Sequence, residues 1–189
     1  MATPALDSMP LGKVMSHFEL EEVVSQKKLS SAAWKEIFPK GMVVIFLCRH
    51  CPYVKHLLKG IVDMAEVFLP QGIGFIGISA NDPADYPDDS PEGLREMALA
   101  HAIPFPILFD ETQEVARSFE ATCTPDFFAF DASSKLVYHG RFVGSTHKNR
   151  IPVTGEDLKK ALQAILQGIP SSVSSPSLGC SIKWKERHE

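Results

Sequence analysis

GMVVIFLCRHCP, residues 41–52, is the stretch that decides the fold expected of this chain. Its first seven residues form an unbroken apolar run that predicts a buried strand, and the apolar spacing after Pro52 predicts a helix over residues 53–69. Cys48 and Cys51 therefore fall between a strand and the start of a helix. Unpaired amides and the positive dipole end of a helix stabilise a thiolate at that place. The stretch predicts a redox-active dithiol.

Length, composition and charge narrow the class of protein. The 189 residues are 44% hydrophobic and 22% charged, which suits one domain with a sizeable core. The net charge of −4 disfavours nucleic acids and anionic membranes as partners. No apolar segment reaches the roughly 18–20 residues that span a bilayer, and residues 1–13 lack the pattern of a secretory signal. We therefore expect a cytoplasmic protein with no nucleic-acid and no membrane partner.

The cysteine content favours chemistry over structural crosslinks. Four cysteines are too few for a secreted fold held together by disulfides. In a reducing compartment, a close pair is more often catalytic or metal-binding than structural. A Cys-x-x-Cys pair is half of a zinc site, but no second such pair and no paired histidines follow, so we expect no metal. An inert buried pair is the remaining alternative.

Strand-like and helix-like segments alternate along the chain, which is typical of an α/β protein with a central mixed sheet flanked by helices. The segments that we predict are strands over 42–47, 72–79, 105–110, 127–131 and 136–142, a hairpin or edge strand over 18–24, and helices over 53–69, 92–101, 112–119 and from 155 onward. We expect one domain over residues 1–168. A Ser/Pro-rich tail over 169–189 should pack on that domain.

Several motifs together resemble the thioredoxin-like superfamily. They are the strand–Cys-x-x-Cys–helix unit, the Thr124-Pro125 step before a strand, and a terminal hairpin followed by a helix. The phrases CRHCPYVKH, TPDFFAFD, YHGR and GCSIKWK are similar to its peroxiredoxin-like branch, related to alkyl hydroperoxide reductase/thiol-specific antioxidant and TlpA-type proteins. The resemblance implies a thioredoxin-like fold from about residue 18 onward. It also implies a cis Thr124–Pro125 bond beside the dithiol, which leaves the Thr124 backbone open to pair with a substrate peptide.

The chain also departs from the peroxiredoxin pattern. Peroxiredoxins carry a proline and a threonine upstream of the peroxidatic cysteine, and here those places hold Val44 and Cys48. Their arginine before a later strand corresponds to Pro125. Peroxide cleavage needs donors that stabilise charge on the breaking O–O bond, so these changes weaken the case for a peroxidase. The pair Cys51-Pro52 remains peroxiredoxin-like.

The resemblance and the spacing suggest roles at the site. Cys48, expected to be the more exposed sulfur, should attack a substrate, and Cys51 should resolve the mixed disulfide, with both on one helix face. Pro52 lacks an N–H, which is harmless in a first helical turn and places the helix start near Cys51. Arg49 and His50 should favour the thiolate, although Arg49 could instead face solvent and His50 could act as an acid–base partner. The redox-active disulfide Cys48–Cys51 would be the only redox group, with no organic cofactor.

Two interpretations remain open for each of the other two cysteines, Cys123 and Cys180. Cys123, just before Thr124, is a third redox thiol or a small buried residue that fills space. Cys180, in the tail, is a resolving cysteine or packs with Ile182 and Trp184 to hold the tail on the domain.

Three polar residues outside the dithiol receive structural interpretations. His139 and Arg141 should share one face of the hairpin, and we expect that face to be solvated. His56 should be a surface histidine.

The function that these features predict is thiol–disulfide oxidation and reduction through the Cys-x-x-Cys dithiol. The substrates would be protein or small-molecule disulfides, and a cellular dithiol reductant would recharge the pair. A peroxiredoxin-like peroxidase acting on hydroperoxides is the main alternative. A Cu(I)-binding chaperone of the same fold and a non-catalytic interaction domain remain open, although copper-delivery members use Cys-x-x-x-Cys with a distant histidine.

Overall fold

Ten strands and five α-helices follow one another in the computed structural model, which describes residues 2–4, 10–170 and 175–186. The strands are β1 Ala2–Pro4, β2 Glu19–Glu22, β3 Lys28–Ser30, β4 Gly41–Phe46, β5 Ile73–Ser79, β6 Ile107–Phe109, β7 Cys123–Thr124, β8 Asp126–Asp131, β9 Leu136–Gly140 and β10 Leu178–Ser181. The helices are α1 Ser31–Ile37, α2 Pro52–Phe68, α3 Pro91–Ala100, α4 Glu114–Ser118 and α5 Glu156–Gln167. Within these residues no helix is both long and apolar enough to span a membrane.

The main sheet has seven strands in the order β3-β2-β6-β5-β4-β8-β9. Strands β4, β5 and β6 run parallel to one another, and β8 lies antiparallel to β4. Every residue of β4 and β5 is buried, as expected for central strands covered on both faces. The sequence-based prediction of a mixed sheet in an α/β fold is confirmed.

Alternation along β4 divides the core into two layers. Val43 and Ile45 belong to the layer that contains the buried residues of α2 and α5, whereas Val44 and Phe46 belong to the layer on the other face. In the second layer Phe46 packs edge-on against Phe119, with ring centroids 5.4 Å apart. The sheet is therefore held rigidly from both sides, and the segment that leaves β4 starts from a fixed point.

Helix α2 begins one residue after Cys51, as the position of Pro52 indicated. Pro52 occupies the first helical position, where its missing N–H costs nothing. The buried face of the helix includes Val54, Leu58 and Ile61, at the helical spacing expected from the sequence. Because this face packs against the core, the N-terminus of α2 is fixed at the carboxyl edge of β4.

A second, small sheet has the order β1-β10-β7 and joins the C-terminal segment to the residues just before Pro125. Neither this sheet nor helix α1 was predicted from the sequence. Strand β6 lies inside the main sheet, and Pro106 directly precedes it, in agreement with the predicted start of a strand. Strands β2 and β3 form an N-terminal hairpin, with β3 at the sheet edge. The range predicted for a hairpin or edge strand, 18–24, holds only β2, because the hairpin extends to Ser30.

Candidate active site

The two cysteines of the Cys-x-x-Cys pair lie between β4 and α2. Cys48 follows the end of β4 by two residues, and Cys51 is the N-cap residue of α2. Both are free thiols, and both are 0% exposed. The expectation that Cys48 is the more exposed sulfur is wrong, because the segment around Thr124 packs against both sulfurs.

Thr124 contacts both thiols. Its hydroxyl oxygen lies 3.2 Å from the Cys48 sulfur, and its carbonyl oxygen lies 3.2 Å from the Cys51 sulfur, which donates to it when Cys51 is protonated. The Thr124–Pro125 peptide bond is cis, as the resemblance implied. The Thr124-Pro125 step and the dithiol are therefore brought together as the sequence predicted.

The surroundings of the two sulfurs favour ionisation of Cys51 over that of Cys48. A hydrogen bond from the Cys48 thiol has the largest effect on the pKa of Cys51 and lowers it. Burial raises that pKa, and smaller hydrogen-bond interactions with the Cys180 side chain and with the main chain of Val54 and Cys180 lower it. The hydrogen bond to Cys51, burial and the charge of Asp89 raise the pKa of Cys48. A sulfur at a helix N-cap is stabilised as a thiolate. This order is the reverse of the roles expected from the sequence.

Cys123 and Cys180 both lie near this pair, in different surroundings. Cys123 is fully buried, with its sulfur 3.9 Å from the Pro125 carbonyl oxygen, and burial raises its pKa. Cys180 is partly exposed, and its side chain has a hydrogen-bond interaction with Cys51. Burial and then that interaction raise the pKa of Cys180.

Arg49 and His50 are directed towards acidic groups rather than towards the thiols. The Arg49 guanidinium donates to the Gly93 carbonyl oxygen at 3.1 Å and to the Glu96 carboxylate at 2.8 Å. The His50 ring lies 2.5 Å from the Asp89 carboxylate through Nδ1 and stacks on Tyr86, with centroids 4.6 Å apart. We expected these two side chains to stabilise a thiolate, but their contacts are with acidic groups and a carbonyl oxygen instead.

Asp89 is a functional candidate that the sequence reasoning missed. Its buried carboxylate accepts the main-chain amides of Arg49 at 2.7 Å and His50 at 3.0 Å, so it fixes the two residues between the cysteines. Asn81 donates to the same carboxylate at 2.8 Å and accepts the Lys183 amide at 2.8 Å. The sequence did contain a signal for Asn81. Asn81 follows β5 by two residues, just as Cys48 follows β4, and neighbouring parallel strands end at the same sheet edge, so the two residues lie on one edge.

The histidines outside the dithiol also differ from the sequence-based expectation. His139 is not on a solvated face, because it is buried, bonded to Asp126 at 3.0 Å and stacked on Phe128. Arg141 is partly exposed, and its Nε donates to Asp157 at 2.6 Å. His56 is half-buried, with Nε2 2.8 Å from the Ser145 hydroxyl, so it is not a free surface residue.

Among the described residues, Cys48, His50 and Asp89 place their ligand atoms within 4.8 Å of one another, as a metal site would. The Asp89 oxygens, however, already accept four hydrogen-bond donors. The set therefore fits the role of an anchored loop better than that of a metal site. Binding of Cu(I) by the two thiols stays a prediction.

Two cavities differ in their relation to the thiols. A cavity of about 240 Å³ adjoins Pro125 and is lined in part by Leu57, Phe142 and Leu178. A larger one, of about 700 Å³, lies between the β2–β3 hairpin and the end of α3. No cysteine lines either cavity, but the smaller one adjoins Pro125, which directly follows the Thr124 that contacts both thiols.

The comparisons with known proteins agree with this geometry. The model of the AhpC/TSA family matches residues 11–139, more than half of the chain. The chain belongs to the AhpC/TSA family. A search of curated protein sequences returned no match. Membership of the AhpC/TSA family supports an oxidoreductase that acts through thiols on disulfides or peroxides, and it confirms the predicted peroxiredoxin-like branch.

Solved structures resemble this AhpC/TSA protein over nearly its whole length. A conserved protein from Geobacillus kaustophilus is 42% identical, with a TM-score of 0.95, and the match covers 99% of this chain and 98% of that one. A protein from Sinorhizobium meliloti is 32% identical, with a TM-score of 0.92 over 96% and 98% of the two chains. A putative thioredoxin from Neisseria meningitidis is 16% identical, with a TM-score of 0.62 over 81% and 89%. The thioredoxin-like fold is therefore confirmed.

Proposed function

We propose that the protein is a thiol–disulfide oxidoreductase in which Cys51 attacks the substrate and Cys48 resolves the mixed disulfide. The observation that carries this proposal is the Cys51 sulfur at the N-cap position of α2, beside the Cys48 thiol, whose hydrogen bond to Cys51 lowers the pKa of Cys51. A donor beside a sulfur stabilises the thiolate, which is the nucleophile in thiol–disulfide exchange.

The exchange needs only the two cysteines and a substrate disulfide. The Cys51 thiolate attacks one sulfur of the substrate, a mixed disulfide forms, and the other substrate sulfur leaves as a thiolate that takes up a proton. Cys48 then loses its proton and attacks the Cys51 sulfur, which forms the Cys48–Cys51 disulfide and releases the second substrate thiol. The substrate gains two electrons from the pair, and a cellular dithiol reductant returns them.

Cys48 is suited to resolution because its high pKa keeps it protonated while Cys51 attacks. Once Cys51 is bound in a mixed disulfide, it no longer carries the negative charge that disfavours a second thiolate nearby. The Thr124 hydroxyl, 3.2 Å away, then remains as a donor to the Cys48 sulfur. The pKa of Cys48 therefore falls in the second step, because the effect of Cys51 is removed and that of the Thr124 hydroxyl remains.

Peroxide reduction is the second candidate, favoured by the position of Cys51 directly before Pro52 in a member of the AhpC/TSA family. There the Cys51 thiolate would attack a peroxide oxygen, releasing water or an alcohol, and the resulting sulfenic acid would condense with Cys48 and release water. Cys48 and Pro125 occupy the places of the peroxiredoxin threonine and arginine. Without those donors the breaking O–O bond receives less stabilisation, so we rank this candidate second.

The test compares oxidation of the fully reduced protein by equal concentrations of glutathione disulfide and hydrogen peroxide, with trapped cysteines mapped by mass spectrometry. We expect faster reaction with the disulfide, a much slower reaction in Cys51→Ser, and no change in the matched control Cys123→Ser, which removes a buried thiol outside the proposed pair. Faster reaction with peroxide would favour the peroxidase. Absence of reaction with both oxidants would overturn both candidates.

A further inference from the structure

Strand β10 lies along the main-chain edge beside Pro125. It pairs antiparallel with β7, so that Cys180 lies opposite Thr124 and Ser181 opposite Cys123. The next amide, that of Ile182, donates to the Thr122 carbonyl oxygen at 3.0 Å. The main-chain edge on which the fold would pair with a substrate peptide is therefore filled by the chain's own C-terminal segment.

The pairing is close enough to require a glycine at one position. A Cβ atom on Gly179 would lie 2.0 Å from the Thr124 carbonyl oxygen and 3.1 Å from the Pro125 nitrogen. Only a residue without a side chain permits this approach. The approach brings the next residue, Cys180, against the N-terminus of α2.

Cys180 meets Cys51 through both its main chain and its side chain. Thr124, which lies opposite Cys180, has its carbonyl oxygen 3.2 Å from the Cys51 sulfur, and a hydrogen-bond interaction between the Cys51 and Cys180 side chains lowers the pKa of Cys51 and raises that of Cys180. Cys180 thus stands beside Cys51, where a cysteine of a paired substrate peptide would stand. Cys123 lies on the partner strand of the same small sheet, but its sulfur is directed to the Pro125 carbonyl oxygen instead.

The segment that carries Cys180 is fixed on its C-terminal side. The Lys183 amide donates to Asn81, and its carbonyl oxygen accepts the Asp82 amide at 2.9 Å. The Gln113 side chain bonds both the Lys183 carbonyl and the Lys185 amide at 2.9 Å. Cys180 is therefore held in place rather than delivered by a loose tail.

We propose that Cys180 is a third redox thiol, which strand β10 holds as an internal partner for Cys51 in disulfide exchange. The inference rests on the proposed function of Cys51. It gives the site a second route of resolution beside Cys48.

The exchange is balanced without a further reagent. In a mixed disulfide of Cys51 with a substrate, the Cys180 sulfur attacks Cys51, the Cys51–Cys180 bond forms, and the substrate thiolate leaves with the proton of Cys180. From the Cys48–Cys51 disulfide the same attack breaks that bond, and Cys48 leaves as the thiol. Two thiols are oxidised and one substrate disulfide is reduced in total.

The test uses the Cys48→Ser variant, in which the first route of resolution is absent. The reduced protein receives one equivalent of glutathione disulfide, and the products are quenched in acid, alkylated and mapped by mass spectrometry. A tethered thiol acts at an effective concentration on the order of millimolar, whereas the released glutathione is present at about 10 µM. We therefore expect the lifetime of the mixed disulfide to be about 100-fold shorter in Cys48→Ser than in Cys48→Ser/Cys180→Ser. The matched control Cys48→Ser/Cys123→Ser should behave as Cys48→Ser does.

A second variant displaces the strand and keeps every remaining thiol. Gly179→Ala in the Cys48→Ser background should slow formation of the Cys51–Cys180 disulfide, whereas Gly144→Ala, whose Cβ meets nothing closer than 3.6 Å, should not. Equal lifetimes of the mixed disulfide with and without Cys180, or a Cys51–Cys123 disulfide, would overturn the role of Cys180 while leaving the proposed function intact. Failure of every variant and of the wild-type protein to react would overturn both.

Discussion

The substitution Asp89→Asn neutralises a carboxylate that is 0% exposed and holds the loop between the two cysteines. The asparagine keeps an oxygen that can accept the two main-chain amides of Arg49 and His50. Its new amide group, however, would face the Asn81 amide, which donates to the carboxylate at 2.8 Å, and the ring of His50. The charge-assisted hydrogen bonds that the carboxylate accepts from Asn81 and His50 are thus lost, because the new amide group is itself a donor and faces these two donors.

The expected cost follows from those contacts. A hydrogen bond to a charged group contributes about 1.5–3 kcal/mol, and removing one partner of a buried charged network costs about 3–5 kcal/mol. Because the asparagine oxygen retains part of the network, we expect the free energy of unfolding to fall by about 3 kcal/mol, at the low end of that range.

Urea unfolding of the reduced protein measures this change as a shift of the midpoint at constant slope. The matched control is Asp88→Asn, which makes the same change one residue earlier on an exposed side chain and should stay within about 0.5 kcal/mol of the wild type. Because the Asp89 charge raises the pKa of Cys48, Asp89→Asn should also lower that pKa and so speed alkylation of Cys48 by iodoacetamide at a fixed pH. A midpoint equal to that of Asp88→Asn would refute the anchoring role of Asp89.

Four further predictions concern the same region. The lowered pKa of Cys51 implies that its rate of alkylation by iodoacetamide stays level as pH falls below the ordinary thiol pKa of about 8.5. The alkylation rate of a normal cysteine falls about tenfold per pH unit there, and the same fall at Cys51 would contradict the prediction. The same lowered pKa makes the stability of the reduced protein depend on pH. Ionised Cys51 stabilises the reduced fold above the ordinary thiol pKa, and this contribution is lost as pH falls through the lowered pKa of Cys51. Denaturation of the wild type and Cys51→Ser across pH measures it, and a stability difference that does not vary with pH would count against it. Asn81→Ala should lower the free energy of unfolding by about 2 kcal/mol and speed hydrogen exchange at the Lys183 amide, whereas unchanged exchange would mean that Asn81 does not hold the tail. Glu96→Gln should change the free energy of unfolding by less than about 1 kcal/mol, since its pair with Arg49 is 69% exposed on the glutamate side, and a larger loss in urea unfolding would show that the pair does more.

The part of the fold predictable from sequence is the part set by local pattern. The apolar run before Cys48 and the helical spacing after Pro52 fixed β4 and α2 to within a residue or two, because each is a periodic segment with a clear boundary. The pairing of β10 with β7 joins Cys180 to Thr124 across more than fifty residues of chain, and no local pattern reports such a partner.

The chemistry of the site was less predictable than its location. Both cysteines of the pair were found, but the choice of thiolate depends on the hydrogen bond between the two sulfurs and on the approach of Cys180 from a distant part of the chain. Likewise His139 was expected on a solvated face, but its partner Asp126 comes from the neighbouring strand, so its burial could not be inferred from β9 alone.

Attack by Cys51 on a disulfide is tested most directly by capturing the mixed disulfide on a single sulfur. In a Cys180→Ser background, which removes the internal competitor, Cys48→Ser and Cys51→Ser are each mixed in reduced form with glutathione disulfide, quenched at intervals and mapped by mass spectrometry. We expect glutathione to accumulate on Cys51 in the first variant much faster than on Cys48 in the second, because only Cys51 is held as a thiolate. Equal or faster capture at Cys48 would contradict this account and return the attacking role to the first cysteine of the pair.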